Sequence, residues 1–202
     1  FMKREVVRLA RMLAMRVTSL VFLRKCRGFG GRSRSGWLAK SCDWMIRLDP
    51  AYHRNAKRML AATIDPGARV LDVGMGTGVL AEYGAPAAGQ YVGIDTSEQG
   101  LKSAMRQMVT RQLGNVVLQW GNVDKLPFGG DQFDSVVSSF SLSQATMDGQ
   151  NSVLAEMHRV LKPDGRLGLF LAQGEMASLF AMRRRLVSEL AAAGFSDVRF
   201  MD

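Results

Sequence analysis

Cysteine and histidine are scarce in this chain, with two of each among 202 residues. Cys26 and Cys42 stand neither in a close pair nor beside a histidine cluster. That leaves no metal-ligand pattern, so no metal site is expected, and it suits a reducing compartment without requiring one. No apolar run reaches the roughly 18–20 residues that span a bilayer, so a membrane-crossing helix is not expected either. Acids are missing from one end. Residues 1–40 hold eleven Lys or Arg against the single acid Glu5, a net of +10 out of the overall +9, so residues 41–202 sum to −1. The body is therefore nearly neutral, with no evident charged stripe for a phosphate backbone, and the basicity belongs to the N-terminal segment.

Within that segment Arg4, Arg8 and Arg11 share a helical face, while Val6, Val7, Leu9, Ala10, Met12 and Leu13 cover much of the rest. The spacing predicts a basic amphipathic helix over residues 1–25. Three readings stay open for it: a helix packed on the core or a partner, an anchor lying on an anionic membrane surface, or an organellar presequence. The first two go with a cytoplasmic protein, the second at a membrane periphery, and the third with a mitochondrial one. Glycine, serine and arginine dominate the stretch that follows, so residues 26–48 read as a flexible linker and the start of a lid.

From Asp49 to Asp202 strand and helix patterns alternate. Asp49-Pro50 opens a helix to about Thr63, with Pro in the first turn. Strands are predicted at Ala68–Val73, Tyr91–Ile94, Val116–Gln119, Phe133–Phe140, Arg166–Leu171 and Val198–Met201. Helices are predicted at Gly78–Tyr83, Gly100–Leu113, Asn151–Leu161 and Met176–Ala193. This alternation argues for an α/β, Rossmann-like, doubly wound, mostly parallel sheet with helices on both faces. Length alone makes one main domain, residues 49–202, the natural division.

The densest signal is Val70–Gly78 (VLDVGMGTG), three alternating glycines directly after the first strand of that domain. Glycine there permits a tight turn and brings backbone N–H groups close to a ligand. A dinucleotide loop reads GxGxxG, whereas here the last glycine comes one place early and Asp72 precedes the first. A carboxylate at that position suits a cationic or amine-bearing ligand better than a pyrophosphate. Asp95 closes the next strand, where its two oxygens can take both ribose hydroxyl protons or cap the following helix.

With these features in place, the chain resembles the class I S-adenosylmethionine-dependent methyltransferases, particularly the group that includes ubiquinone and menaquinone methyltransferases. The resemblance runs through VLDVGMGTG, VGIDTSEQGL (92–101), GNVDKLPF (121–128), FDSVVSSFSL (133–142), EMHRVLKPDGRL (156–167) and AGFSDVRF (193–200). It implies S-adenosyl-L-methionine as cofactor. It also implies that Asp72, Gly74, Met75 and Gly76 form the loop around the methionine part, that Asp95 binds the ribose, and that Thr96 lies beside the adenosine. Asn122 and Val123 would form the adenine-edge pair, with Asn122 where the family commonly has an acid. Ser139 and Phe140 would border cofactor and substrate. Met75 equally suits packing.

The resemblance implies transfer of a methyl group to an oxygen, nitrogen or carbon nucleophile of a small or lipid-like acceptor, by direct in-line displacement. Such a reaction rests on positioning, so a general base is optional. His53, with Tyr52 beside it, is the candidate for that role, since an imidazole can accept a proton at neutral pH. His158 reads as structural. No AsnProProTyr-like element follows the fourth strand, which disfavours an N-methylating DNA enzyme. An RNA methyltransferase, a catalytically degenerate scaffold and a dinucleotide oxidoreductase remain as rivals. The family commonly ends with a seventh strand inserted antiparallel beside the fifth. This chain shows no segment for it after 198–201, so the sheet would lack that strand or take it from elsewhere, and an open edge would favour a homodimer.

Overall fold

The computed structural model describes residues 6–11, 46–141, 147–171 and 179–201. Seven strands form one sheet in the order β4-β3-β2-β5-β6-β1-β7. The strands are β1 (Val6–Arg11), β2 (Arg69–Val73), β3 (Gln90–Asp95), β4 (Val116–Trp120), β5 (Phe133–Ser139), β6 (Leu161–Leu171) and β7 (Ser196–Met201). Every pairing is parallel. Such a sheet must be covered on both faces, and its strands accordingly read as apolar runs.

The helices that cover it are α1 (Pro50–Thr63), α2 (Ala81–Gly84), α3 (Glu98–Thr110), α4 (Met147–Val160) and α5 (Leu179–Ala192). Strand alternation divides the core between two faces. Leu71, Val73, Val92, Ile94 and Val136 meet α4 and α5 through Leu154, Met157 and Leu190. Val70, Tyr91 and Val137 meet α1, α2 and α3 through Met59, Ala81, Ala104 and Met108. Burying side chains of this size contributes about 2–3 kcal/mol each before the entropy of ordering them is subtracted.

Local chemistry accounts for the start of α1. The Asp49 carboxylate accepts the Ala51 N–H at 2.8 Å, Pro50 fills the first turn, and Tyr52, Ala56, Met59 and Leu60 recur at helical spacing on the buried face. The helix expected at 78–83 shrinks to the four residues of α2, because the glycine loop occupies its first turn. Residues 46–48 take a helical turn where a linker was expected.

The largest departure lies at the N-terminal side. Residues 6–11, expected within a basic amphipathic helix, form β1, hydrogen-bonded between β6 and β7. The arginine spacing suits a helix, but Val6-Val7 favours extended backbone, and ladder partners on both sides outweigh a weak helical preference. Residues 1–5 and 12–25, the remainder of the expected helix, lie outside the described residues, as do residues 26–45 of the linker. The place beside β6, where the resemblance implies an antiparallel last strand, is held by β1 running parallel. The strand beside β6 thus comes from a segment that precedes the other six strands in the chain.

Candidate active site

Strand order reverses between β2 and β5, and ligands of such sheets bind beyond the C-terminal strand ends at that point. The glycine loop leaves β2 there. Gly74, Gly76 and Gly78 all have positive φ, at 72°, 57° and 84°. A Cβ on Gly74 would lie 2.4 Å from the Ser141 Cβ, whereas one on Gly76 would meet nothing within 4 Å. The loop is therefore packed from below at Gly74 and open at Gly76. Gly74→Ala is expected to cost about 2 kcal/mol of stability, from the left-handed backbone and the collision together. A thermal melt against wild type measures it.

Backbone and carboxylate bonds hold the loop in place. The N–H groups of Gly74 and Met75 both donate to the Ile94 carbonyl, at 2.8 and 3.2 Å. Asp95 accepts the Gly76 N–H at 2.8 Å on one oxygen and the Ser97 N–H at 2.7 Å on the other. One carboxylate thus joins the glycine loop to the turn before α3. A carboxylate has about four acceptor directions, so each oxygen can accept once more, which suits two ribose hydroxyls. The cap of α3 is Ser97, whose hydroxyl accepts the Gly100 N–H at 3.1 Å, so Asp95 is not the helix cap.

Asp72 lies beneath the loop, 1% exposed. One of its oxygens accepts the Tyr91 hydroxyl at 2.9 Å, and the other has no partner among the described residues. Burial pushes its pKa up to about 7, the Tyr91 hydrogen bond opposes that rise, and the Asp95 charge adds to it. Tyr91 is held well above its ordinary value by burial and by Asp72 itself. An orphaned buried acceptor of this kind fits a cationic amine supplied by a ligand in the loop, which would both satisfy the oxygen and favour its charge. Met75 is buried at 6% exposure and packs toward Gly93, where a Cβ would come within 1.8 Å of its sulfur. Its backbone, not its side chain, belongs to the loop.

The ends of β3 and β4 are more open. Thr96 is exposed, and its carbonyl accepts the Trp120 indole N–H at 3.1 Å. Asn122 is exposed beyond β4, while Val123 packs partly against the core. That loop is tied down from α4: Glu156 accepts the Leu126 N–H at 2.7 Å, and Arg159 donates to the carbonyls of Leu126 and Phe128 while pairing with Glu156. The Arg159 bonds hold the Glu156 carboxyl below its usual range. The two sequence blocks 121–128 and 156–167 are thus halves of one fastening. His158 packs edge-on against Phe195, with 5.0 Å between ring centres.

The end of β5 forms a second rim beside the glycine loop. The Ser139 hydroxyl meets the Tyr52 hydroxyl at 3.2 Å. Phe140, at φ 61°, donates its N–H to the Phe170 carbonyl and stacks with Tyr52 and Phe170. Tyr52 is 1% exposed, so its ring is a core element with a polar tip at this rim. Both nitrogens of His53 are taken: Nε2–H donates to the Arg47 carbonyl at 2.6 Å, and Nδ1 accepts from the Tyr83 hydroxyl at 2.7 Å. In this arrangement neither nitrogen is open to a substrate proton. Tyr91, Ser97, Trp120 and Ser141 carry no mark of their own in the sequence, since their roles arise only once parallel strands align.

Comparison with known proteins agrees with this geometry. The methyltransferase-domain family matches residues 70–165. The demethylmenaquinone methyltransferase of Geobacillus kaustophilus is 40% identical over 111 residues, covering 53% of this chain and 46% of its own. The chain thus spans about half the length of the curated relatives it matches. Among solved structures, a S-adenosylmethionine-dependent methyltransferase from Aquifex aeolicus superposes with TM-score 0.63 at 20% identity, over 80% of this chain and 89% of that one. The [4+2]-cyclase SpnF reaches 0.62 at 28% identity, over 71% and 57%. Among the described residues, no helix is long and apolar enough to cross a membrane, and no cluster of side chains could hold a metal ion. The sequence blocks, the strand order and the glycine loop with Asp95 agree with these matches: over residues 70–165 the chain matches the methyltransferase-domain family, and over about half its length it is similar to demethylmenaquinone methyltransferases.

Proposed function

We propose that the chain binds S-adenosylmethionine across the β2 and β3 ends and transfers its methyl group to a small, lipid-like acceptor of the quinone-precursor class. The observation that carries this reading is the Asp95 carboxylate, which fixes the glycine loop and the turn before α3 while keeping acceptor capacity on both oxygens. The relatives named demethylmenaquinone methyltransferase supply the acceptor class.

The bound cofactor would supply a methyl group already activated on a sulfonium. Asp72, Gly74 and Gly76 would hold its amine-bearing end, Asp95 its ribose, and Thr96, Asn122 and Val123 its base. Ser139 and Phe140, backed by Tyr52 and Phe170, would form the apolar wall that aligns the acceptor and keeps water out. His53 fixes the position of α1 against Tyr83 and the Arg47 carbonyl, a positioning role in place of the base suggested by its residue type.

Calorimetric titration with S-adenosylmethionine, S-adenosylhomocysteine and NAD tests the cofactor. Micromolar binding of the two sulfur ligands and none of NAD is the expected result. Methyl transfer is then assayed with demethylated quinols, with amines, phospholipids and RNA as alternative acceptors. Binding of both sulfur ligands with no transfer to any of them would leave the domain a cofactor-dependent scaffold.

A further inference from the structure

The outward side of α1 has a composition that the cofactor site does not use. Arg54, Lys57 and Arg58 recur at spacings of three and one and are all exposed, and the helix has no acidic residue. They border an open groove of about 710 Å³ with Arg47, Leu48 and Pro50. Among the described residues, no carboxylate lines this groove. Of the described acids nearby, Asp49 accepts the Ala51 N–H, and Glu82 pairs with Arg47 and Arg111. Beside the cations Leu48 stands 59% exposed. The base of the groove is held firm, with His53 bonded to Tyr83 and the Lys57 ammonium 5.1 Å from the Tyr83 ring centre.

We propose that this face of α1, with Leu48 at its edge, rests on an anionic phospholipid surface. The inference deepens the lipid-like-acceptor reading and rests on it. Three cations on a helix with no acid attract a negatively charged surface, and a projecting leucine among them gains by entering the headgroup boundary. A nucleic-acid backbone would use the cations but leave Leu48 in water, and among the described residues the lining offers no Phe, Tyr or Trp on which a base could stack. The placement also has a use. The opposite face of α1 carries Tyr52, whose hydroxyl meets Ser139 at the acceptor rim. A helix lying on the membrane by its outer face therefore brings that rim close to the source of a lipid-like acceptor.

The experiment uses the full chain with phosphatidylcholine vesicles made with and without phosphatidylglycerol. Replacing Arg54, Lys57 and Arg58 together by Glu is expected to weaken sedimentation with the anionic vesicles by about 100-fold or more, at roughly a factor of five per cation removed and further loss on reversal. The positions are exposed, and an unchanged melting temperature and S-adenosylmethionine affinity show that the fold is kept. Because residues 1–40 are themselves basic, a local probe is included. An environment-sensitive dye on Leu48→Cys, with Cys26 and Cys42 replaced by Ser, is expected to shift to the blue on anionic vesicles alone.

Vesicle binding unaffected by the triple replacement, or a dye that stays in water while the protein sediments, overturns the proposal and assigns binding to another segment. Loss of polyuridylate binding with vesicle binding intact overturns it in favour of nucleic acid. A wild-type protein that sediments through this face yet fails to bind either sulfur ligand overturns the cofactor reading instead.

Discussion

Asp95→Ala is expected to weaken S-adenosylmethionine binding by at least about 100-fold, and to do so through two losses at once. The first is direct, since two charge-assisted hydrogen bonds to ribose hydroxyls at about 1.5–3 kcal/mol each would vanish. The second is preorganisation, because the same carboxylate holds the N–H groups of Gly76 and Ser97. Asp95→Asn separates the two. Its amide has one oxygen, so it can keep one of the backbone bonds and offers a donor where the other acceptor stood. It is therefore expected to fall between wild type and the alanine variant. Titration calorimetry with S-adenosylhomocysteine measures all three. An alanine variant that bound with wild-type affinity would remove Asp95 from the site.

Asp72 governs the second large effect, in which pH sets the sign. Burial raises its folded pKa to about 7 from the ordinary 3.8. Between those values the folded chain holds a proton that the unfolded chain has released, so the stability of the ligand-free protein falls as pH rises through this window. The full cost, on the order of 4 kcal/mol, is reached above the folded value and is absent below the unfolded one. Asp72→Asn keeps an acceptor for Tyr91 and carries no charge. It is expected to flatten that part of the pH profile of chemical denaturation and to stabilise the ligand-free protein at alkaline pH. The same variant should bind S-adenosylmethionine poorly, since the cationic amine loses its counter-charge. In wild type, ligand binding should strengthen as pH rises toward and past 7, with proton release visible as a buffer-dependent binding enthalpy. A flat profile in wild type would show that Asp72 is ionised throughout.

The body of the fold was legible because its signals are local. Apolar runs bounded by glycine and polar residues marked β2, β3 and β5, and Asp49-Pro50 marked the start of α1. The loop was legible for the same reason, since three positive-φ positions require glycine where they occur. Features set by distant partners were not. Residues 6–11 are a strand because β6 and β7 flank them, and their own spacing suits a helix equally well. His53 illustrates the corresponding limit for chemistry. Residue type made it a candidate base, but its availability depends on Tyr83 and the Arg47 carbonyl, which meet it only after α1 packs. The Asp72–Tyr91 pair belongs to the same class, created by the register of two parallel strands.

The position of β1 also bears on the order of events during synthesis. Val6 precedes its ladder partners Arg166 and Ser196 in synthesis by 160 and 190 residues. Until then the segment has no strand to join, and β6 lacks the neighbour it will acquire between itself and β7. The central strands β2 to β5 can assemble meanwhile, as their pairings span far shorter stretches of chain. Closing so long a loop makes β1 docking a late step, since the contacts that reward it come only after the entropy of closure is spent. The nascent protein therefore waits with a basic, valine-containing segment exposed, in the interval when a chaperone would have most to hold.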